Sequence, residues 1–409
     1  MKRLAVLAME GRVRRVIVGA CLLVGLPLLT LAIPRSSGAD PATGTTGAVS
    51  VHATVAVAKA AAQSALGATP SGGWTNPATV MGAKACIRCH RSEYLAWTES
   101  KHYKTGETIA KFLGTTKEYS EALGITQDTI QGSLCASCHL TTQPDLGGKV
   151  RAIAGVSCES CHGGAGSESG WLNRHAVYGP NITSIDQETD AHRAARIEFC
   201  EDAGMVRTAR TYSIAKNCYQ CHSVTNEKLV NAGHKIGKLL EVVGWTIGEV
   251  RHNFHEDQAV NSASPTLWTR TTGGDTKQRR RVKFIVGILV NLEVSLTALS
   301  TATDDDGDYV SDYRDQAVEL QEDFLSEIID YLEDDPIEGL AELLEMMEDM
   351  EIDDADYSEE EARKAAADAA IEVAKVAKSI AGSKNLKLAG VDEFMDDTIE
   401  ARGEEYSRQ

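Results

Sequence analysis

Eight of the ten cysteines fall into four copies of one five-residue pattern. They are Cys86-Ile87-Arg88-Cys89-His90, Cys135-Ala136-Ser137-Cys138-His139, Cys158-Glu159-Ser160-Cys161-His162 and Cys218-Tyr219-Gln220-Cys221-His222. Each reads C-x-x-C-H, the attachment pattern for c-type haem. Two thiols one helical turn apart can add to the two vinyl groups of a porphyrin, and the next residue can hand its imidazole nitrogen to the iron. A lone C-x-x-C would also suit half a zinc site or a redox dithiol. Neither of those needs a histidine directly after the second cysteine of every pair. The pattern therefore predicts four haem c groups. Cys86, Cys89, Cys135, Cys138, Cys158, Cys161, Cys218 and Cys221 are the attachment residues, and His90, His139, His162 and His222 the proximal ligands.

The remaining histidines are candidates for the opposite face of each iron. A continuous helix from Ser92 would carry His102 roughly 18 Å from His90. That is too far to reach the far side of its own haem, so His102 is a ligand candidate for a neighbouring one. His175 closes Trp171-Leu172-Asn173-Arg174-His175 and is a second candidate. His234, His252 and His255 follow the fourth pattern. The last two share a helical face, so one of them would bind, and His252 is the favoured one. Cys200 has no partner and reads as a buried, inert thiol.

The elements that must position these groups read as mainly helical with little sheet. Met1 to Ala39 (residues 1–39) has the form of an export segment: Arg12, Arg14 and Arg15, then an apolar run over residues 16–33, then Ser37-Gly38-Ala39. Cleavage is the favoured outcome, and an uncleaved membrane tether through 16–33 is the alternative. Both place the haem region outside the cytoplasm, in the periplasm or an equivalent space. Residues 40–78 form a flexible linker rich in Ala, Thr, Gly and Ser. Residues 79–267 form the tetrahaem domain, packed around its four haems. Within it helices are expected over Ser92–His102, 115–129 with a stop at Leu123-Gly124, 190–203 and 245–255 and leading into the fourth pattern from Val206, with a turn-rich connection over 141–149 and a short strand over 150–156. Gly163-Gly164 would let backbone approach a haem closely.

Residues 268–409 change character. Arg279-Arg280-Arg281-Val282-Lys283 opens a helix through Leu299, and its basic cluster could meet haem propionates, the acidic tail or solvent. Asn291 and Glu293 interrupt its apolar run and argue against a membrane span. Helices follow over 317–332, 337–350 and 358–380, giving a bundle-like acidic region. Asp304, Asp306, Asp308, Asp312 and Asp315 echo a calcium-loop register, but Tyr309 occupies the position that needs glycine. An acidic inter-helix loop is the preferred reading.

Charge is unevenly spread. The chain of 409 residues carries a net charge of −18. Residues 304–361 hold 26 acidic residues against the single basic Arg314, whereas residues 81–255 hold 19 basic and 18 acidic. The acidity disfavours nucleic acid and suits a basic partner for the tail. Aromatic residues make up only 5%, consistent with a small domain partly filled by porphyrin.

The segment from Lys84 to His255 resembles the tetrahaem cytochrome c-554 type. The likeness rests on the first pattern followed by an aromatic helix ending in Ser100-Lys101-His102. It rests also on Gly155-Val156-Ser157-Cys158-Glu159-Ser160-Cys161-His162-Gly163 and on the order of the four patterns. Gly164, where proline is common, and the acidic tail depart from it. The resemblance implies haems in close pairs, with His102 serving the fourth, His175 the first and His252 the third. It implies a five-coordinate second haem on His139, although His234, His192 and His255 are spare ligands here. The expected function is extracytoplasmic electron transfer between redox proteins. The alternative is a multihaem reductase of a small nitrogen oxide such as nitric oxide, nitrite or hydroxylamine, with its open iron on His139.

Overall fold

The computed structural model describes residues 75–106, 117–126, 129–166, 170–237, 240–248, 276–383 and 386–398. The export segment, nearly all of the linker, His252 and His255 lie outside the described residues. The described part belongs to one compact unit and is mostly helical, with one small sheet.

Each C-x-x-C-H pattern closes a helical turn. In the first, the His90 N–H bonds the Cys86 carbonyl at 2.9 Å. Helix α1 (Arg91–Glu99) follows, then α2 (Lys117–Ala122), and α3 (Leu134–His139) carries the second pattern. Strands β1 (Thr141–Pro144) and β2 (Val150–Ala154) form an antiparallel hairpin, with Thr142 opposite Ala152 and Pro144 opposite Val150. Helix α4 (Cys158–His162) is the third pattern, and a reciprocal Ser157–Ser160 capping box starts it. Helices α5 (Leu172–His175), α6 (Asp190–Asp202) and α7 (Thr211–His222) follow, the last ending in the fourth pattern. The short helices α8 (Glu227–Asn231) and α9 (Val242–Ile247) complete the haem-bearing half.

Four expectations change, the first being that the helix expected over 245–255 spans Val242–Ile247 and stops at Gly248. The helix after the first pattern is not continuous to His102. Ser100 is extended (ψ 161°), and its hydroxyl donates to the Trp97 carbonyl while accepting the Tyr103 N–H. The chain is helical again over 101–106, on a new axis, so a straight rise does not measure the path from His90 to His102. The stretch before Lys149, read as a turn-rich connection, contains β1; Thr-Thr-Gln-Pro becomes a strand because β2 supplies its partner. The helix entering the fourth pattern starts at Thr211 rather than Val206.

Helix α10 (Thr276–Ser300) is the spine of the second half. Its apolar face and most of its flanks are buried from Val282 to Leu299. It is long and apolar enough to cross a membrane, yet 94% of its apolar window is buried inside the protein. Helix α11 (Asp308–Glu319) runs through a π turn over Leu320–Leu325 into α12 (Ser326–Tyr331). Helices α13 (Leu340–Asp349), α14 (Glu360–Gly382) and α15 (Val391–Thr398) follow. Helix α14 lies along α10, with Ala366, Ala369, Ala370, Ala374 and Ala377 all buried. Alanine favours the helix and lets the two backbones come close.

One hydrophobic core joins the two halves. Tyr212, Ala215, Tyr219 and Val230 from around the fourth pattern share it with Val282 to Leu299 and with α11 to α15. The basic cluster at the start of α10 is engaged by its own chain, on both sides of this junction. Arg281 grips Asp392 with two bonds of 2.6 Å, Arg279 donates to Thr211 at 3.1 Å, and Lys283 donates to Thr246 at 3.2 Å. The acidic loop before α11 is likewise closed by its own chain. Glu227 accepts the Thr303 and Asp304 N–H groups, and Asp305 pairs with Arg314 at 3.1 Å. Asp308, Asp312 and Asp315 sit on helix α11 rather than around a calcium loop.

Candidate functional site

The four patterns approach one another in sets. The Cys158 thiol donates to the Cys86 sulfur, which pulls Cys86 below the usual thiol range and pushes Cys158 up. The first and third patterns are therefore in contact. Cys221 bonds Cys138 in the same way, which together with burial raises Cys221 and joins the second and fourth patterns. Asn217, just ahead of Cys218, donates to the Cys161 carbonyl at 2.6 Å and ties the third pattern to the fourth. Burial pushes Cys161 and Cys218 up to about 12.

Two of the candidate distal histidines face proximal ones. The rings of His90 and His175 have centroids 6.0 Å apart, and so do those of His102 and His222. Two imidazoles holding one metal through bonds of about 2 Å would stand about 6.3 Å apart, centroid to centroid. The centroid spacing thus matches that of two imidazoles on one iron. Among the described residues no three His, Cys, Asp or Glu side chains converge as a metal cluster.

Local structure holds these rings in place. His175 ends α5, and its carbonyl accepts from Arg196 at 2.8 Å. Arg196 is itself fixed by two 2.7 Å bonds to buried Glu188. Arg174 lies over the Phe199 ring, 4.7 Å from its centroid, and the Cys200 thiol is buried against the Trp171 carbonyl. His192 is engaged by Glu188 at 2.8 Å. His102 is held by backbone packing against Gly155, where an added Cβ would lie 2.3 Å from the His102 carbonyl oxygen. The Trp97 indole donates to the Val156 carbonyl at 2.7 Å, which fixes α1 to the same strand exit. Gly163 and Gly164 make room for neighbouring parts of the chain. A Cβ on Gly163 would meet the Gly204 carbonyl at 2.3 Å, and one on Gly164 the Thr79 hydroxyl at 1.9 Å.

Burial favours the neutral, iron-ligating form of three imidazoles, His139, His175 and His222. Burial, followed by the nearby His90 charge, pushes His175 down to about 4. Burial, followed by His102 and His139, does the same to His222. His139 is lowered by burial and then by His234, so His234 stands within electrostatic reach of the second pattern. Two rings direct their remaining nitrogen outward through a backbone bond. Nδ1 of His162 pairs with the Val206 carbonyl at 2.7 Å, and Nδ1 of His234 with the Lys235 carbonyl at 2.8 Å. Each bond needs Nδ1–H and makes Nε2 the ring nitrogen that carries a lone pair. Tyr119 packs on the His234 ring at 5.6 Å and donates to the Gly233 carbonyl at 2.9 Å.

Several positioning residues were not evident in the sequence. Arg196 and Glu188 are ordinary helix and loop residues until the fold brings them to His175. Asn217 and Gly155 carried a faint signal, since each lies within three residues of a pattern cysteine.

Residues 85–163 match the family described as cytochrome c554 and c-prime. Cytochrome c-554 of Nitrosomonas europaea is 29% identical over 87 residues, which is 20% of this chain and 37% of that protein. The chain thus spans little more than a third of the length of the relative it matches. No solved structure matches the chain.

Proposed function

Taking residues 85–163 as a segment of the cytochrome c-554 type, we propose that the protein is an extracytoplasmic tetrahaem cytochrome c that passes electrons between redox partners. The observation that carries this reading is the pair of histidine couples, His90–His175 and His102–His222, each spaced 6.0 Å. The bound groups would supply one-electron iron chemistry. The chain's own work is to hold each iron between two imidazoles and to keep the groups close together. His175 serves the haem of the first pattern and His102 that of the fourth. His234 is the candidate for the second and His252 for the third.

Contact between the first and third patterns, and between the second and fourth, favours close haem pairs. The third–fourth link through Asn217 then joins the pairs into one conduit. Residues 79–267 form this domain, and the acidic helical region 268–409 follows. Residues 1–39 direct export, with residues 16–33 as a tether if they are not removed. Helices α13 and α14 border an acidic groove of about 850 Å³ that includes Glu342, Glu345, Asp349, Glu361 and Asp368. It offers a basic redox partner a docking surface.

A nitrogen-oxide reductase would need an open iron on His139. His234, with its Nε2 lone pair beside that pattern, argues for closure instead. The test is electron paramagnetic resonance of haem-loaded His102→Ala and His175→Ala variants. Each is expected to convert one low-spin haem to high-spin, and a different one in each case. Unchanged spectra in both would refute the pairing.

A further inference from the structure

Glu159 occupies a variable position of the third pattern and is 1% exposed. Its carboxylate accepts the Met81 N–H at 2.8 and 3.0 Å, the Gly82 N–H at 2.6 Å and the Ala165 N–H at 2.8 Å. Its own backbone carbonyl accepts from the Thr75 hydroxyl at 2.9 Å. Every side-chain partner is a backbone donor, and each bond is one that the carboxylate accepts. That is the arrangement of an anion held by N–H dipoles, with no lysine or arginine beside it among the described residues. Met81 and Gly82 lead straight into the first pattern at Cys86.

We infer that Glu159 is a positioning residue for the first and third haems that also sets their potentials. The carboxylate clamps the chain ahead of the first pattern onto α4 and so fixes the spacing of the two attachment sites. Its buried negative charge favours the ferric over the ferrous state of the haems on either side, because the oxidised iron carries the extra positive charge. The effect is local: the second and fourth haems lie on the other thiol contact. This inference rests on the tetrahaem reading above.

The experiment is a spectroelectrochemical titration of haem-loaded wild type, Glu159→Gln and Glu159→Asp. Glu159→Gln is expected to move the couples of two haems to more positive potential and leave the other two in place. Glu159→Asp keeps the charge and is expected to stay near wild type. Unmoved couples in Glu159→Gln, or an equal shift in Glu159→Asp, would overturn the electrostatic role. If Glu159→Gln yields no folded protein, redox-difference infrared spectroscopy of wild type carrying ¹³C-glutamate decides. A glutamate carboxylate band that shifts on haem reduction is expected, and a silent carboxylate region would overturn the inference. A chain with no haem couples at all would sink the cytochrome reading itself and this inference with it.

Discussion

Replacing Glu293 by leucine should loosen the fourth haem site from a distance. Glu293 lies on α10, far in sequence from the pattern at Cys218. Its carboxylate accepts from the Tyr212 hydroxyl at 2.9 and 3.0 Å and from Lys216 at 2.9 Å. Tyr212 and Lys216 are one turn apart on α7, the helix that ends in Cys218–His222. Burial and the Glu293 charge push the Tyr212 hydroxyl well up, so it remains a donor at any ordinary pH. Hydrogen bonds to a charged group contribute about 1.5–3 kcal/mol each. The Lys216 side chain is 25% exposed and can turn to water, which recovers most of its share. Tyr212 is buried and cannot. The net cost is therefore about 2–3 kcal/mol, or a fall in Tm of about 4–12 °C at about 2–4 °C per kcal/mol for a large domain. The assay is thermal unfolding of the haem-loaded protein, followed in parallel by the Soret band and far-ultraviolet circular dichroism. Combining Glu293→Leu with Tyr212→Phe should cost less than the sum of the two by about 1–2 kcal/mol. A Glu293→Leu protein melting within about 1 °C of wild type would refute the shared-core argument.

Two further outcomes follow from the same contacts. Gly155→Val should push the His102 backbone away, because its Cβ would start 2.3 Å from the His102 carbonyl oxygen. One additional high-spin haem in the resonance spectrum is expected, and a wild-type spectrum would contradict it. Asp392 is held down to about 2, chiefly by its bond to Arg281 and then by Lys277. A carboxyl depressed in the folded state stabilises fully above its unfolded value near 4 and loses that contribution as pH falls through about 2. The Tm gap between wild type and Asp392→Asn should therefore be constant above about pH 4–5 and close towards pH 2. A gap independent of pH would show that the Arg281–Asp392 pair does not anchor α15.

What was legible in the sequence was local. The C-x-x-C-H turns, α6, α10 and α14 are set by spacing and periodicity within a few turns, and they stand where those signals put them. The stop of α2 at Gly124, which has a positive φ of 62°, was equally local. The break at Ser100 was not legible, because a serine suits a helix interior until its hydroxyl finds the Trp97 carbonyl and the Tyr103 N–H. Strand β1 was missed because Thr141–Pro144 has no strand character without β2 beside it. The largest gap was the common core of α7 and α10, whose Tyr212–Glu293 contact spans 81 positions. Neither helix alone announces it. The facing of His175 with His90 and of His102 with His222 was expected only through the family likeness, since no spacing rule connects residues so far apart.

The central claim is that every iron is held between two side chains of this chain. The most direct measurement is the absorption spectrum of haem-quantified, full-length protein, oxidised and reduced, with and without carbon monoxide. Four haems per chain, all low-spin and unaltered by carbon monoxide, are the predicted result. A high-spin haem that binds carbon monoxide would contradict the claim, place an open iron in the protein and turn attention to reductase chemistry at His139.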